Sequence, residues 1–235
     1  MIIMTTLTST RISLSNMKML IKCCHTDTSK HTLQYVYFDG LTATSTDGHR
    51  VYSIPYPHDN EPFLIKHSDL KVLIKGAKKN DSFIIPHNSP DKQLESKIGK
   101  YPEVKMLLSK NYKHVITINR KLEIDFCNAI NDVAISYVAF RVKDKQFEIT
   151  HGCQSTETLK FRWLNNSLLL ATEYLIDTEY LSFQQAYLGD LANIKFDTIS
   201  IVDNECPVIF TDTINGSYLL IMPFYFRDNT FNPFN

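Results

Sequence analysis

Thr44–Ser53 reads TSTDGHRVYS, and four consecutive residues in it, Asp47-Gly48-His49-Arg50, bring together a carboxylate, a glycine, an imidazole and a guanidinium. That set suits an acid–base site, a metal site, or a tight turn that displays side chains to a partner. For catalysis, His49 needs a carboxylate to orient it and a nucleophile or metal beside it. Asp47 is near in sequence, but an aspartate in a turn more readily bonds the backbone N–H groups around it. No other His or Cys stands at metal-ligand spacing from His49. No metal and no cofactor is therefore expected, and an enzyme built on the Asp47–His49 turn is the weakest reading. A hairpin turn with polar surface residues is the plain alternative.

The composition narrows the choice. The chain has 235 residues, enough for one large domain or two ordinary ones. Its 43% apolar and 21% charged residues describe a globular protein. Lys+Arg and Asp+Glu each number 25, which argues against nucleic-acid binding by sheer positive charge while leaving a local basic face open. Only seven glycines occur, in neither a GxGxxG nor a GxxxxGK pattern, so those classes of nucleotide-binding enzyme are disfavoured. Cys23, Cys24, Cys127, Cys153 and Cys206 form no CxxC pair, and each is expected to be a small buried residue in a reducing compartment. The opening MIIMTTLTSTR lacks the basic start and sustained apolar core of a signal peptide, and no apolar run reaches membrane-spanning length. A soluble cytoplasmic protein is expected.

Outward from the turn, the chain shows one pattern twice. Met17, Leu20, Ile21 and Cys24 follow i, i+3, i+4, i+7, a helix face with Ser15 as the expected N-cap. TLQYVYFDGLTATSTDGHRVYSI then reads as strands broken by turns at two Asp-Gly pairs. FLIK is a short strand, Ser68 an N-cap, Asp69 to Lys79 a helix, and a further strand follows. In the second half Leu122, Phe126, Ala129 and Ile130 have helical spacing, and AISYVAFRVKDKQFEITHG is a hairpin around Lys143-Asp144-Lys145. YLIDTEYLSFQQAYLGDL mirrors FLIKHSDLKVLIKG, with Leu175-Ile176 in place of Leu64-Ile65, an offset of 175 − 64 = 111 residues. Two copies of one α+β domain are expected, 1–108 and 109–226, with a flexible tail at 227–235. Gly99 and Pro102 interrupt the pattern where the chain crosses over.

The neutral total conceals a local concentration of base. Lys71, Lys75, Lys78 and Lys79 fall within roughly 100° of one face of the expected second helix, opposite Leu70, Leu73, Ile74 and Ala77. Lys18 and Lys22 form a smaller pair on the first helix. A solvated face is the ordinary meaning of such a stripe. No acid interleaves with these lysines after Asp69, however, and a phosphate backbone would relieve their repulsion. In the second half Arg120 and Lys121 are followed by Glu123 and Asp125, so a DNA-facing surface would be uneven.

TATSTDGHRVYS closely resembles the ATDGHRLA signature in the middle domain of bacterial β sliding clamps. IGKYPEVKMLL resembles that family's linker of the form GR(F/Y)PDxRxVLP. ISLSNMKMLI and PFLIKHSDLKVLIKG resemble the two helix starts of the middle domain, and SYLLIMPFYF resembles the terminal YVVMPMRL. The resemblance runs over nearly the whole chain, but only to the second and third of the family's three domains. It implies two tandem DNA-clamp domains, each with sheets outside and two helices on the inner face.

By resemblance, the function is that of a non-enzymatic polymerase processivity factor. Six such domains make a ring that slides on duplex DNA without reading sequence, through contacts to phosphates. It tethers DNA polymerase by raising effective concentration. With two domains per chain, three copies would complete the ring. Lys18, Lys22, Lys71, Lys75, Lys78, Lys79, Arg120 and Lys121 are the candidate DNA-facing residues. Partners of the family, polymerase and clamp loader among them, insert a short apolar peptide between the last two domains. The matching positions here are Leu33, Thr46, Gly48, His49, Arg50 and Val51; Pro102, Met106 and Leu107 of the linker; and Leu220, Met222, Pro223, Phe224 and Tyr225 of the last strand. Met106 and Tyr225 stand where the family usually has Arg. The sequence also runs on as RDNTFNPFN, whose Phe231 and Phe234 resemble the aromatic end of a clamp-binding peptide. A clamp-like decoy that binds clamp partners without closing a ring is the alternative. The short, Ile-, Asn- and Lys-rich chain suggests a phage or other mobile element as its source.

Overall fold

A computed structural model describes residues 10–27, 29–86, 100–108, 111–131, 137–154, 161–163, 168–171, 178 and 180–224. The chain parts into two compact units, Met1–Lys105 with Asn215–Tyr218 and Met106–Ile214 with Leu219–Asn235. Tyr225 and the tail at 227–235, with Phe231 and Phe234, lie outside the described residues.

In the first unit, β1 (Ile12–Ser13) leads directly into α1 (Leu14–Lys22). Met17, Leu20 and Ile21 form the buried face that the spacing predicts. The cap is Ser13 rather than Ser15: its hydroxyl accepts the Asn16 N–H at 3.3 Å, and the Ser15 hydroxyl lies 3.0 Å from it. Next come β2 (Tyr35–Phe38), β3 (Thr42–Thr46), β4 (Arg50–Pro55) and β5 (Phe63–Lys66), antiparallel in the order β5-β2-β3-β4. Both Asp-Gly pairs make the connections, with Gly40 at φ +93° and Gly48 at φ +95°, backbone that a side chain disfavours. Phe38 stacks on Phe63 at 4.6 Å and meets the edge of Tyr56 at 5.3 Å, which ties the sheet's edge strand to its core.

The second helix departs from expectation. α2 covers only His67–Leu73, its N-cap is Lys66, and no side chain caps it; β6 (Ser82–Phe83) follows and pairs with β1. Ile74 leaves the helix, Gly76 takes φ +80°, and Lys78–Asp81 close a turn in which Asp81 accepts the Lys78 N–H at 2.7 Å. Lys71 alone of the four lysines is helical. Of the expected apolar face Leu70 is buried, Ile74 and Ala77 are half-buried and Leu73 is 37% exposed, while Val72, outside that face, is 72% exposed.

The second unit has β7 (His114–Thr117), α3 (Arg120–Asn131), β8 (Tyr137–Lys143), β9 (Gln146–Gln154), β10 (Phe161–Trp163), β11 (Leu168–Ala171), β12 (Leu181–Gln184), α4 (Gln185–Leu188), β13 (Thr198–Ile201), β14 (Val208–Asp212) and β15 (Ser217–Ile221). One sheet runs β7-β13-β14-β15; the other runs β10-β9-β8-β12, with β11 pairing β9 beside β10. The β8–β9 hairpin turns at Asp144 and Lys145, both at positive φ (48° and 60°). Asn119 caps α3 by accepting the Leu122 N–H at 2.9 Å. Phe126 of α3 lies 5.3 Å from both Phe140 and Phe147, at the centre of the core.

The internal repeat is present, but its register differs from the expected one. The strand that runs straight into a helix is Leu181–Gln184, as Phe63–Lys66 is in the first unit, and the helix starts are 185 − 67 = 118 residues apart. Leu175 and Ile176 lie outside the described residues. Cys23, Cys24 and Cys127 are buried, and burial pushes each thiol up to about 12, while Cys206 is half-exposed against expectation.

Candidate functional site

The turn after β3 is fastened from within. One Asp47 carboxylate oxygen accepts the N–H groups of His49 (2.9 Å) and Arg50 (3.1 Å); the other accepts Arg50 Nε at 2.9 Å. Arg50 Nη2 then donates at 3.0 Å to the Lys22 carbonyl at the end of α1, so the guanidinium caps that helix's C-terminal end. The Thr46 hydroxyl donates to the Arg50 carbonyl at 2.7 Å and accepts the Gly48 N–H at 3.1 Å. Asp47 is thus taken up by the turn and by Arg50, as the turn reading predicts.

These bonds sort the expected pocket wall into two groups. Thr46, Arg50 and Val51 are buried at 4%, 8% and 2% exposure, and Thr46 and Arg50 hold the turn together. Gly48 and His49 are exposed, and Leu33 is half-buried with its Cδ1 3.8 Å from where a Cβ on Gly48 would sit. Pro102 is exposed, and the residues beside it are pinned to the same unit. Tyr101 stacks on Tyr37 at 5.1 Å and its hydroxyl donates to the Thr44 carbonyl at 3.2 Å. Lys105 pairs with Asp39 at 2.7 Å. Burial raises the Asp39 carboxyl, but Lys105 and the Leu41 and Thr42 donors outweigh it and bring it down to about 2. Sequence reasoning missed Tyr37, Asp39 and Tyr101, because their partners lie far along the chain.

In the second unit, Met106 is 80% and Leu107 42% exposed in a 3-10 turn, Val104–Leu107. Met222, Pro223 and Phe224 are half-buried, and Leu220 is buried at 1% exposure. Phe224 is held in place: its N–H donates to the Ser182 carbonyl at 2.6 Å, its carbonyl accepts the Ser182 hydroxyl, and its ring lies 5.0 Å from Tyr137.

The basic candidates Lys18, Lys22, Lys71, Lys75, Lys78, Lys79, Arg120 and Lys121 are all exposed. Lys75, Lys78 and Lys79 follow α2 as a turn, so the single helical stripe becomes a cluster of helix and turn. Arg120 pairs with Glu123. The unit containing residues 1–105 and 215–218 holds 14 Lys and Arg against 10 Asp and Glu; the other holds 11 against 15. The neutral total therefore divides into +4 and −4. Among the described residues no group of His, Cys, Asp and Glu is arranged to hold a metal, and no helix is long and apolar enough to cross a membrane.

No family model and no curated protein matches the sequence. Solved structures do. The DNA polymerase sliding clamp of Bacillus subtilis superimposes with a TM-score of 0.66 at 18% identity, over 92% of this chain and 64% of that one. The fold is that of the bacterial sliding clamps. A Pseudomonas aeruginosa sliding clamp, solved with griselimycin, matches at TM-score 0.66 and 15% identity over 92% of this chain and 65% of its own. The Helicobacter pylori beta clamp, solved with a DNA ligase peptide, matches at 0.62 and 13%, again over 92% and 65%. The chain thus spans about 65% of the length of the clamps it matches, as two tandem clamp domains that each have two α-helices among the described residues.

Proposed function

We propose that this chain is a DNA sliding clamp, a non-enzymatic processivity factor that encircles duplex DNA and tethers a polymerase to it. The observation that carries the reading is the superposition of 92% of the chain on bacterial clamps. Two domains per chain, meeting near residues 108 and 109, make three copies the number that gives six domains. Lys18, Lys22, Lys71, Lys75, Lys78, Lys79, Arg120 and Lys121 would face the duplex, where exchangeable phosphate contacts permit sliding. Leu33, Gly48, His49, Pro102, Met106, Leu107, Met222, Pro223 and Phe224 would receive the short apolar motif of a polymerase, of a loader that opens the ring, or of another replication protein. The H. pylori clamp, solved with a ligase peptide, supports that kind of partner. The reading places the protein in the cytoplasm, with the replication machinery of a bacterium or of a phage infecting it.

The test is topological. Protein loaded on a nicked circular plasmid should survive a wash at 0.5 M salt and be lost when the plasmid is cut to a linear form. Electrostatic binding alone would be lost in the wash from both forms. Replacing Lys71, Lys75, Lys78 and Lys79 by Glu should abolish retention and leave peptide affinity unchanged. The second reading is a decoy that binds clamp partners without closing a ring. Peptide binding with no retention on circular DNA would select it.

A further inference from the structure

The residues proposed to receive a partner's peptide fall into two sets, one in each unit, and the charges around them are already committed. In the first unit the set is Leu33, Gly48, His49 and Pro102. The lysines and arginines within three residues of these are Lys30, Arg50, Lys100 and Lys105, and each meets an acid of the same unit. Arg50 holds Asp47 at 2.9 Å, with side chains 9% and 11% exposed. Lys105 holds Asp39 at 2.7 Å, and the Asp39 side chain is 12% exposed. Lys100 pairs with Glu103. Lys30, which opens the 3-10 turn carrying Leu33, lies in the field of Asp27. In the second unit the set is Met106, Leu107, Met222, Pro223 and Phe224, and none of these side chains is charged.

Commitment of this kind decides what the site can hold. To meet a partner's carboxylate, Arg50 must leave Asp47 or Lys105 must leave Asp39, and either move strands a largely buried carboxylate. An acid on the partner would then lose water against apolar side chains and gain no counter-charge. Apolar and aromatic side chains meet no such obstacle. Met106, 80% exposed and directly after the pinned Lys105, offers them a long, unbranched and polarisable contact. We propose that this site takes a short peptide whose inserted part is uncharged and apolar, that it rejects an acidic residue there, and that Met106 determines the preference. The inference deepens the clamp reading and rests on it for bringing the two sets onto one peptide. An arginine in place of Met106 would add a cation that no acid of the unit already holds, and so would relax the rejection.

Two probes that differ in one side chain test this. They are the acetylated and amidated peptide Gly-Ser-Leu-Ser-Leu-Phe and the same peptide with Asp in place of its second Ser, each titrated by calorimetry at pH 8, above the ordinary histidine range. The unaltered chain should bind the Ser peptide about tenfold more tightly than the Asp peptide. Its affinity for the Ser peptide should change less than about twofold between 50 and 500 mM salt. Met106→Arg should bring the two affinities level or reverse their order, whereas Met106→Gln, which adds polarity without charge, should keep the Ser peptide ahead. Circular dichroism melts check that the variants are folded, and Met106→Lys supplies a second cation should Arg unfold the chain. Equal or tighter binding of the Asp peptide by the unaltered chain overturns the selectivity. A preference that survives a folded cationic variant overturns the role of Met106. Binding of neither peptide by the unaltered chain overturns the site itself, while the ring stands or falls on its plasmid test.

Discussion

The strand-to-helix junction occurs once in each unit, at Lys66/His67 and at Gln184/Gln185, and the two copies keep step for one turn. Leu70 and Leu188, 118 residues apart, are buried at 1% and 0% exposure. Then they part. Leu191 is buried at 1%, its counterpart Leu73 is 37% exposed, and Val72 at 72% stands where the second unit has the buried Asp190. In the second unit the helix continues as a 3-10 turn, Gly189–Asn193, that packs on α3. Gly189 permits this, since a Cβ there would come within 3.0 Å of Asn131 Oδ1. In the first unit the chain turns away at Gly76, carrying lysines. The same backbone device closes a core in one unit and presents a surface in the other. Apolar residues left exposed at a position where the sister unit buries them point to a partner.

The largest expected effect contrasts these cores directly. Leu191→Ala should cost about 2–5 kcal/mol in denaturant unfolding, whereas Leu73→Ala should cost about 1 kcal/mol or less because little of its surface is lost from a core. Equal costs would erase the distinction. The site turn comes next: Arg50→Ala strands the buried Asp47 carboxylate and leaves the Lys22 carbonyl without its guanidinium, for about 3 kcal/mol or more.

The sequence made some of this legible and hid the rest for identifiable reasons. The face of α1, the two Asp-Gly turns and the β8–β9 hairpin depend on neighbours within a few residues, and periodicity and turn chemistry report such neighbours well. The end of α2 does not. Leu70, Leu73, Ile74 and Ala77 keep helical spacing whether or not the chain stays helical, and only the tertiary surroundings decide that it stops at Leu73. The repeat register failed because two apolar dipeptide-containing stretches, around Leu175-Ile176 and Leu181–Phe183, both fit the template. In the candidate site the turn reading of Asp47 held, since its partners are two and three residues away. The burial of Arg50 was hidden because its second partner, Lys22, lies 28 residues back, and Lys105–Asp39 spans a longer gap still.

Smaller effects refine the picture of the fastened first unit. Asp39→Asn should lower stability by about 1–3 kcal/mol near neutral pH, since it removes an ionised acceptor from Lys105 and three turn donors. Because Asp39 is held down to about 2, its contribution is present above the ordinary carboxylate pKa of about 3.9 and is lost as pH falls through about 2. The stability difference between the unaltered chain and Asp39→Asn should therefore shrink between pH 5 and pH 2, as followed by thermal melts. Gly48→Ala should cost about 1–2 kcal/mol, from positive φ rather than crowding, since the nearest atom to the new methyl would be Leu33 Cδ1 at 3.8 Å. Val72→Asp should be within about 0.5 kcal/mol of neutral for folding of the isolated chain, because Val72 is 72% exposed.

The central claim is that a two-domain chain completes a clamp by adding copies of itself. The most direct measurement is the mass of the unaltered protein in solution by light scattering, from low to high micromolar concentration in moderate salt. One closed species of three times 27.1 kDa, about 81 kDa, that does not grow further with concentration is the expected result. A mass of 27.1 kDa across that range would contradict it.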